Sequence, residues 1–244
     1  MAQKITAIGW DVGGWMGARH GAAVCTIDHE GITWAKEPAV CSLPEDGFWN
    51  PEDLARQGGF EAEFPEDSTV VVGIDAPLSF PEAFTRFLAG DTVPAGKPGR
   101  EIDNPLAYRE TDRYIHKKYR KKPLSASFDR IGNNATVAMS HVKKWETDYG
   151  FHTRPFSCVK SSREIIEVYP ALVKQTSKSP AAPFLHKWIP ETAAPGTDAY
   201  DACICALYAA AFALNGSLLP ALEGPPVEGP WQKEGWIYHF DRDL

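Results

Sequence analysis

The chain has 244 residues, 43% of them apolar, and 25 Lys+Arg against 32 Asp+Glu leave a formal charge of -7. That length is near the upper end of what one hydrophobic core supports, so a single domain over residues 1–244 is expected. The acidic balance argues against a protein that coats nucleic acid through a global basic field, and leaves a local basic patch open.

Three strand-like runs come first: KITAIGWDV from Lys4, GAAVCTID from Gly21 and GITWAKEPAV from Gly31. The turn residues DHEG predict that the second and third form a hairpin. The start, MAQKITAIGWD, lacks the basic leader, apolar region and cleavage site of a secreted chain. Residues 50–68 are weakly patterned, with one short helical element. TVVVGIDAPLSF (69–80) is an uninterrupted β-branched run, the pattern of a strand covered on both faces.

Residues 81–150 read as helical in PEAFTRFLAG, NPLAYRETDRYIHKKYRKK and ATVAMSHVKKWETDYG, separated by loops such as DTVPAGKPGR. They form a helical insertion at about 81–160. REIIEVYP from Arg163 is a further strand, and DAYDACICALYAAAFALNG is a long helix stopped at Asn215-Gly216. EGWIYHF is expected as a terminal edge strand, and KSPAAP and EGPPVEGP as proline-rich loops. The stretch Ala199 to Leu214 contains Asp201 and is shorter than a bilayer span, so it predicts a buried helix and no membrane partner. The order predicts an α/β fold: a mixed sheet flanked by helices on both faces.

Cys25, Cys41, Cys158, Cys203 and Cys205 form no CxxC pair and leave an odd thiol, a pattern of reduced, cytoplasmic proteins. Seven histidines show no HxH or HExxH spacing, which argues against a zinc enzyme. Ser125 and Ser127 lack a nucleophile elbow. Trp10 and Trp15 flank Asp11, where core packing is weighed above base stacking.

Asp11 and Asp75 end strands, Glu167 lies near the end of another, and Asp198 and Asp201 open the long helix on one face. An acid at the end of a buried strand is costly unless a cation compensates it. Mg²⁺ or Mn²⁺ would do so, and such ions support phosphodiester hydrolysis. The structural alternatives are turn formation by Asp11 and Asp75 and capping by Thr197 or Asp198. For any one acid the structural role is favoured; for the set, a catalytic and metal-binding site is.

GWDVGGW, VVGIDAPLSFP, YRETDRYI, EVYPALV, GTDAYDACICALYAAAF and EGWI, in this order, resemble the DUF429 family of predicted nucleases with an RNase H-like fold. The resemblance implies a mixed five-stranded sheet whose first three strands are antiparallel. It also implies Asp11 as the first-strand acid, Asp75 as the acid after the fourth strand, and Asp198 or Asp201 as the helix acid. Glu167 matches a motif acid. Nucleic acid, DNA or RNA, is the implied partner.

Arg109, Asp112 and Arg113 in YRETDRYI match a family pattern. Arg109 and Arg113 share a helix face and either hold a phosphate or orient a catalytic carboxylate, or else belong to an internal Arg-Asp network that packs the insertion on the core. The run HKKYRKK (116–122), with Lys117, Lys118 and Arg120 around Tyr119, is either a solvated helix end or a contact for substrate polyanion. DVGG also resembles the phosphate loop of the sugar-kinase and actin-like superfamily, although Trp15 stands where that loop carries a hydroxyl. A third possibility is a non-catalytic binding module. Gly13 and Gly14 are expected to bend the turn after Asp11 and to leave room for a phosphate.

Overall fold

The computed structural model describes residues 4–17, 19–65, 67–92, 96–174 and 182–241. Most of KSPAAP and part of DTVPAGKPGR lie outside these residues. Strands β1 (Ile5–Asp11) and β2 (His20–Ile27) are antiparallel. The predicted turn closes the next hairpin: the Asp28 N–H donates to the Gly31 carbonyl at 3.1 Å, and the Asp28 carboxylate accepts from the Glu30 N–H at 2.8 Å.

The expected third strand is broken into β3 (Ile32–Trp34) and β4 (Ala39–Cys41), which pair with opposite ends of β2. Residues 35–37 bend away, and Pro38 has no N–H to offer a ladder. β5 (Thr69–Asp75) runs parallel to β1, and β7 (Arg163–Val168) parallel to β5. Beyond β7, β6 (His152–Thr153) pairs with its first half and β8 (Ile237–Tyr238) with its second. The sheet therefore has eight strands, in the order β3-β2-β1-β5-β7-β6 with β4 on β2 and β8 on β7. This corrects the five-stranded expectation. The antiparallel opening and the parallel remainder agree with it, and the extra strands arise because each edge is assembled from two short pieces.

Side chains alternate across the sheet as a period of two requires. Ile8, Trp10, Val70, Val72 and Ile165 pack against Leu54 of α1 (Pro51–Gln57) and Val137, Ala138 and Trp145 of a helix over Ile131–Tyr149. Ala7, Val71, Ile166 and Val168 face the long helix over Asp198–Leu214. Between β5 and the Ile131 helix lie α2 (Glu82–Leu88) and α3 (Glu110–Tyr119), which makes the Ile131 helix α4. After β7 come α5 (Pro183–His186), α6 (the Asp198 helix) and α7 (Trp231–Glu234).

Helix boundaries follow local chemistry. Thr197, not Asp198, caps α6: its hydroxyl accepts from the Tyr200 N–H at 3.2 Å. Asn215, in the left-handed region at φ 46°, ends it where predicted. The helix predicted from Asn104 begins only at Glu110, because the Asn104 side chain holds a turn by accepting from the Leu106 N–H at 3.1 Å. Among the described residues no helix is long and apolar enough to cross a membrane.

Candidate functional site

The site begins with three glycines. Gly9 on β1 is the register partner of Gly73 on β5, and Gly21 on β2 is the partner of Asp11. A Cβ on Gly9 would stand 2.0 Å from the Ala202 carbonyl oxygen, one on Gly21 2.0 Å from that of Asp198, and one on Gly73 2.4 Å from that of Cys205. The backbone of α6 therefore rests directly on three adjacent strands, a closeness only glycine permits. That contact delivers the first turn of α6, with Asp198 and Asp201, to the strand ends that carry Asp11 and Asp75.

Asp11 and Asp75 are themselves register partners on the α6 side of the sheet. Burial, then the charges of Asp75, Asp201 and Asp198, push Asp11 up to about 9, with Lys174 opposing. Burial, then Asp201 and Glu167, push Asp75 up to about 7, against Lys174 and Lys121. Asp201 is also raised, by burial above all. Its Oδ2 accepts from the Lys174 ammonium, while its Oδ1 is shielded from solvent without a hydrogen-bond partner. Burial pulls the Lys174 ammonium down, but the hydrogen bond to Asp201 and the charges of Asp201, Asp75 and Asp11 outweigh it and leave it raised. Asp198 stands apart, paired with Arg19 Nε at 2.7 Å on the more exposed side.

The donor chemistry suits a hard divalent ion, since these are carboxylate oxygens, mutually repelling, with one orphaned oxygen on Asp201. Among the described residues the acids are not drawn into a closed set of three ligands. Lys174 is the cation that their negative charge holds.

Glu167 is placed differently. It is the register partner of Ile74, so its side chain leaves the sheet on the face opposite Asp11. Both its oxygens are taken by Arg109: Nη2 to Oε1 at 2.6 Å and Nη1 to Oε2 at 2.8 Å. Arg109 also donates from Nη2 to Asp112 Oδ1 at 3.0 Å and from Nε to Asp112 Oδ2 at 3.1 Å. Glu167 Oε2 further accepts from the Leu78 N–H at 2.9 Å, which ties down the loop after Asp75. Arg109 is 1% exposed, so its guanidinium is not open to a phosphate and is bound into an internal network with Glu167 and Asp112. Arg113 takes no part: it bonds Glu110 Oε1 and the Tyr108 carbonyl.

Glu234 completes this scaffold. Its Oε1 accepts from the Glu82 N–H at 2.8 Å and its Oε2 from the Glu110 N–H at 2.7 Å. One buried carboxylate thus serves the starts of α2 and α3. Between the scaffold and the acid cluster lies a cavity of about 190 Å³ whose lining includes Asp75, Pro77, Leu124, Glu167, Tyr169 and Lys174. Burial pushes the Tyr169 hydroxyl up to about 12, so it stays a donor.

The turn after β1 is filled. A Cβ on Gly13 would stand 2.5 Å from the Arg19 carbonyl oxygen, and one on Gly14 2.2 Å from Asn133 Nδ2. The room expected there for a phosphate is occupied by the protein itself. His20 holds the turn: its Nδ1 accepts from the Gly13 N–H at 3.0 Å and the Trp10 indole at 3.2 Å. Burial brings its pKa down to about 4, so the ring stays neutral. Trp10 is core, and Trp15 donates to Thr136 Oγ1 at 3.0 Å.

The basic run divides four ways. Lys118 bonds Glu223 and Asp241, Lys121 the Ala171 carbonyl, and Lys122 Glu101. Lys117 and Arg120 face a separate cavity with Arg113. Ser125 forms a turn, donating to the Ala107 carbonyl at 2.8 Å and accepting from the Ser127 and Phe128 N–H groups. Cys203 and Cys205 are buried, with thiols raised by burial.

Sequence reasoning missed Lys174, Arg19, His20, Glu234 and the row Gly9, Gly21, Gly73. Glycines inside strand patterns were the one local signal available, since they mark close backbone approach. No family model, no curated protein and no solved structure matches the chain.

Proposed function

We propose that the chain is a divalent-metal-dependent phosphodiester hydrolase acting on DNA or RNA, of the DUF429 group with an RNase H-like fold. On this reading it is a single cytoplasmic domain with a helical insertion. The observation that carries the reading is the meeting of Asp11, Asp75 and Asp201 at one end of the sheet, where Asp75 and Asp201 raise the proton affinity of Asp11, Asp201 raises that of Asp75, and Asp201 Oδ1 has no hydrogen-bond partner. Five unpaired cysteines support the reducing compartment.

Asp11, Asp75 and Asp201 would hold Mg²⁺ or Mn²⁺, with Asp198 beside them. When bound, such an ion polarises a phosphoryl oxygen and makes water a competent nucleophile at neutral pH. Lys174 and the nearby Lys121 lower the cost of bringing a phosphate to the acids, and the Tyr169 hydroxyl is a donor on the cavity wall. Arg109 and Glu167 act as positioning residues, fixing the loop after Asp75.

The phosphotransferase alternative loses support from the filled turn at Gly13 and Gly14. A non-catalytic module keeps one observation in its favour, because Lys174 already supplies a cation to the acids. The test is hydrolysis of labelled single-stranded, duplex and branched DNA and RNA with Mg²⁺ or Mn²⁺. The reading requires cleavage by the wild type that Asp11→Asn abolishes; no cleavage of any substrate, or full cleavage by Asp11→Asn, overturns it.

A further inference from the structure

A second cavity, of about 320 Å³, lies along α3 and is lined by Arg100, Ile102, Asp103, Arg113, His116, Lys117 and Arg120. Four permanent cations and one acid surround it, in a chain whose formal charge is -7. Arg113, His116, Lys117 and Arg120 recur at helical spacings of three and four, so they stand in one stripe along the helix. Arg100 comes from a different segment, before a short 3₁₀ turn, and faces the same space.

A helix end attracts cations through its exposed carbonyls, which accounts for Lys117 and Arg120 alone. It does not account for Arg113 in the second turn, nor for Arg100 from outside the helix. Placing Arg113 and Lys117 at i,i+4 and Lys117 and Arg120 at i,i+3 is repulsive and weakens the helix. Arg100 is held by Asp103 through two bonds of 2.8 and 2.7 Å, and Arg113 by Glu110. Lys117 and Arg120 have no ion-pair partner among the described residues, and His116 Nδ1 is shielded without a hydrogen bond. Arg120, at φ 58°, sits in the left-handed conformation of the helix cap, its N–H bonded to the His116 carbonyl at 3.0 Å, so its place on the rim is set by the backbone.

We infer that this groove binds the phosphodiester backbone of a single nucleic acid strand, through Lys117 and Arg120 with Arg100 and Arg113 behind them. The inference rests on the hydrolase reading for its choice of polyanion. The groove's lining contains no Phe, Tyr or Trp, its one ring being the His116 imidazole, so its contact is chiefly with phosphates and is largely indifferent to sequence. The seven steps from Arg113 to the cap residue Arg120 span roughly 10 Å, room for about two backbone phosphates. The strand is held on the insertion, apart from the acids, and binding there needs no divalent ion.

The experiment is fluorescence anisotropy of a labelled 12-nucleotide strand with EDTA present, over a range of salt concentrations. The groove variant Lys117→Glu/Arg120→Glu is expected to bind at least tenfold more weakly and to flatten the slope of log K against log salt by about 1.4. The control Lys36→Glu/Lys187→Glu, with the same charge change on exposed residues elsewhere, is expected to bind as the wild type does. Failure of the wild type to bind at 50 mM salt, unchanged binding by the groove variant, or an equal loss in the control overturns the groove. Binding with this pattern but no cleavage on adding Mg²⁺ would instead defeat the hydrolase and leave the groove standing. Melting temperatures of all variants establish that they fold.

Discussion

Asp11 and Asp75 end adjacent parallel strands in the same register, so two carboxylates leave the sheet side by side on one face. Nothing in a sheet favours that arrangement. The folded chain binds protons at these acids more tightly than the unfolded chain does, and stability falls as pH rises from about 3.8 toward 9. This is the reverse of an ordinary salt-bridged carboxylate, whose contribution appears as pH rises. Asp11→Asn is therefore expected to melt above the wild type in EDTA, with a gap that is absent at pH 4 and widens to pH 9. The gap should reach at least about 2 °C, the shift that roughly 1 kcal/mol gives in a chain of this size. An equal or lower melting temperature at pH 8 would contradict it.

Lys174 should behave in the opposite sense. Lys174→Met removes the ammonium bonded to Asp201, so at pH 8 in EDTA the variant is expected to be less stable than the wild type. Mn²⁺ is expected to raise its melting temperature by more than it raises that of the wild type, because the acids then lack their resident cation. Thermal melts with and without 1 mM Mn²⁺, roughly 1,000 times a micromolar dissociation constant, make the comparison. An identical Mn²⁺ shift in the two proteins counts against the acids as ligands.

Arg109 faces two buried carboxylates, and its loss leaves both unpaired. Arg109→Met is expected to cost about 3–5 kcal/mol in urea denaturation. Arg109→Lys should recover less than half of that, since a point charge cannot form the paired contacts to Glu167 and Asp112. Full recovery by lysine would mean that charge, not the forked geometry, is what the scaffold needs.

Gly9→Ala tests the seat of α6. A methyl group 2.0 Å from the Ala202 carbonyl forces helix and sheet apart, at a cost of about 3 kcal/mol or more. Gly99→Ala, where nothing lies within 4 Å, is the control and should change stability by less than about 0.5 kcal/mol. Any Gly9→Ala protein that folds should show a diminished Mn²⁺ shift, because Asp201 has moved with its helix.

Much of this was legible in the sequence where the signal is local. The β-branched run before Asp75, the Asn215 stop and the hairpin at Asp28 depend on residues close in the chain. The role of Arg109 was not legible, because the choice between phosphate clamp and internal network turned on Glu167, 58 positions away. The glycine row required knowing that β1 pairs with β2 and β5 in one particular register. Glu234 lay in a motif that was recognised without a mechanism; its service to two helix starts appears only once α2, α3 and α7 are assembled. The third strand reads as one run from Gly31 to Val40, but its pairing with β2 stops at Trp34 and resumes only at Ala39, across Lys36, Glu37 and Pro38.

Both margins of the sheet are made of fragments: β3 and β4 of three residues each on one side, β6 and β8 of two each on the other. An unbroken margin is a template on which a second chain can zip. Here an incoming strand would find main-chain donors and acceptors in register for two or three residues before the path bends away. A protein whose central strands are this apolar is thereby shielded against strand exchange at its flanks without placing a charge or a covering helix on each one.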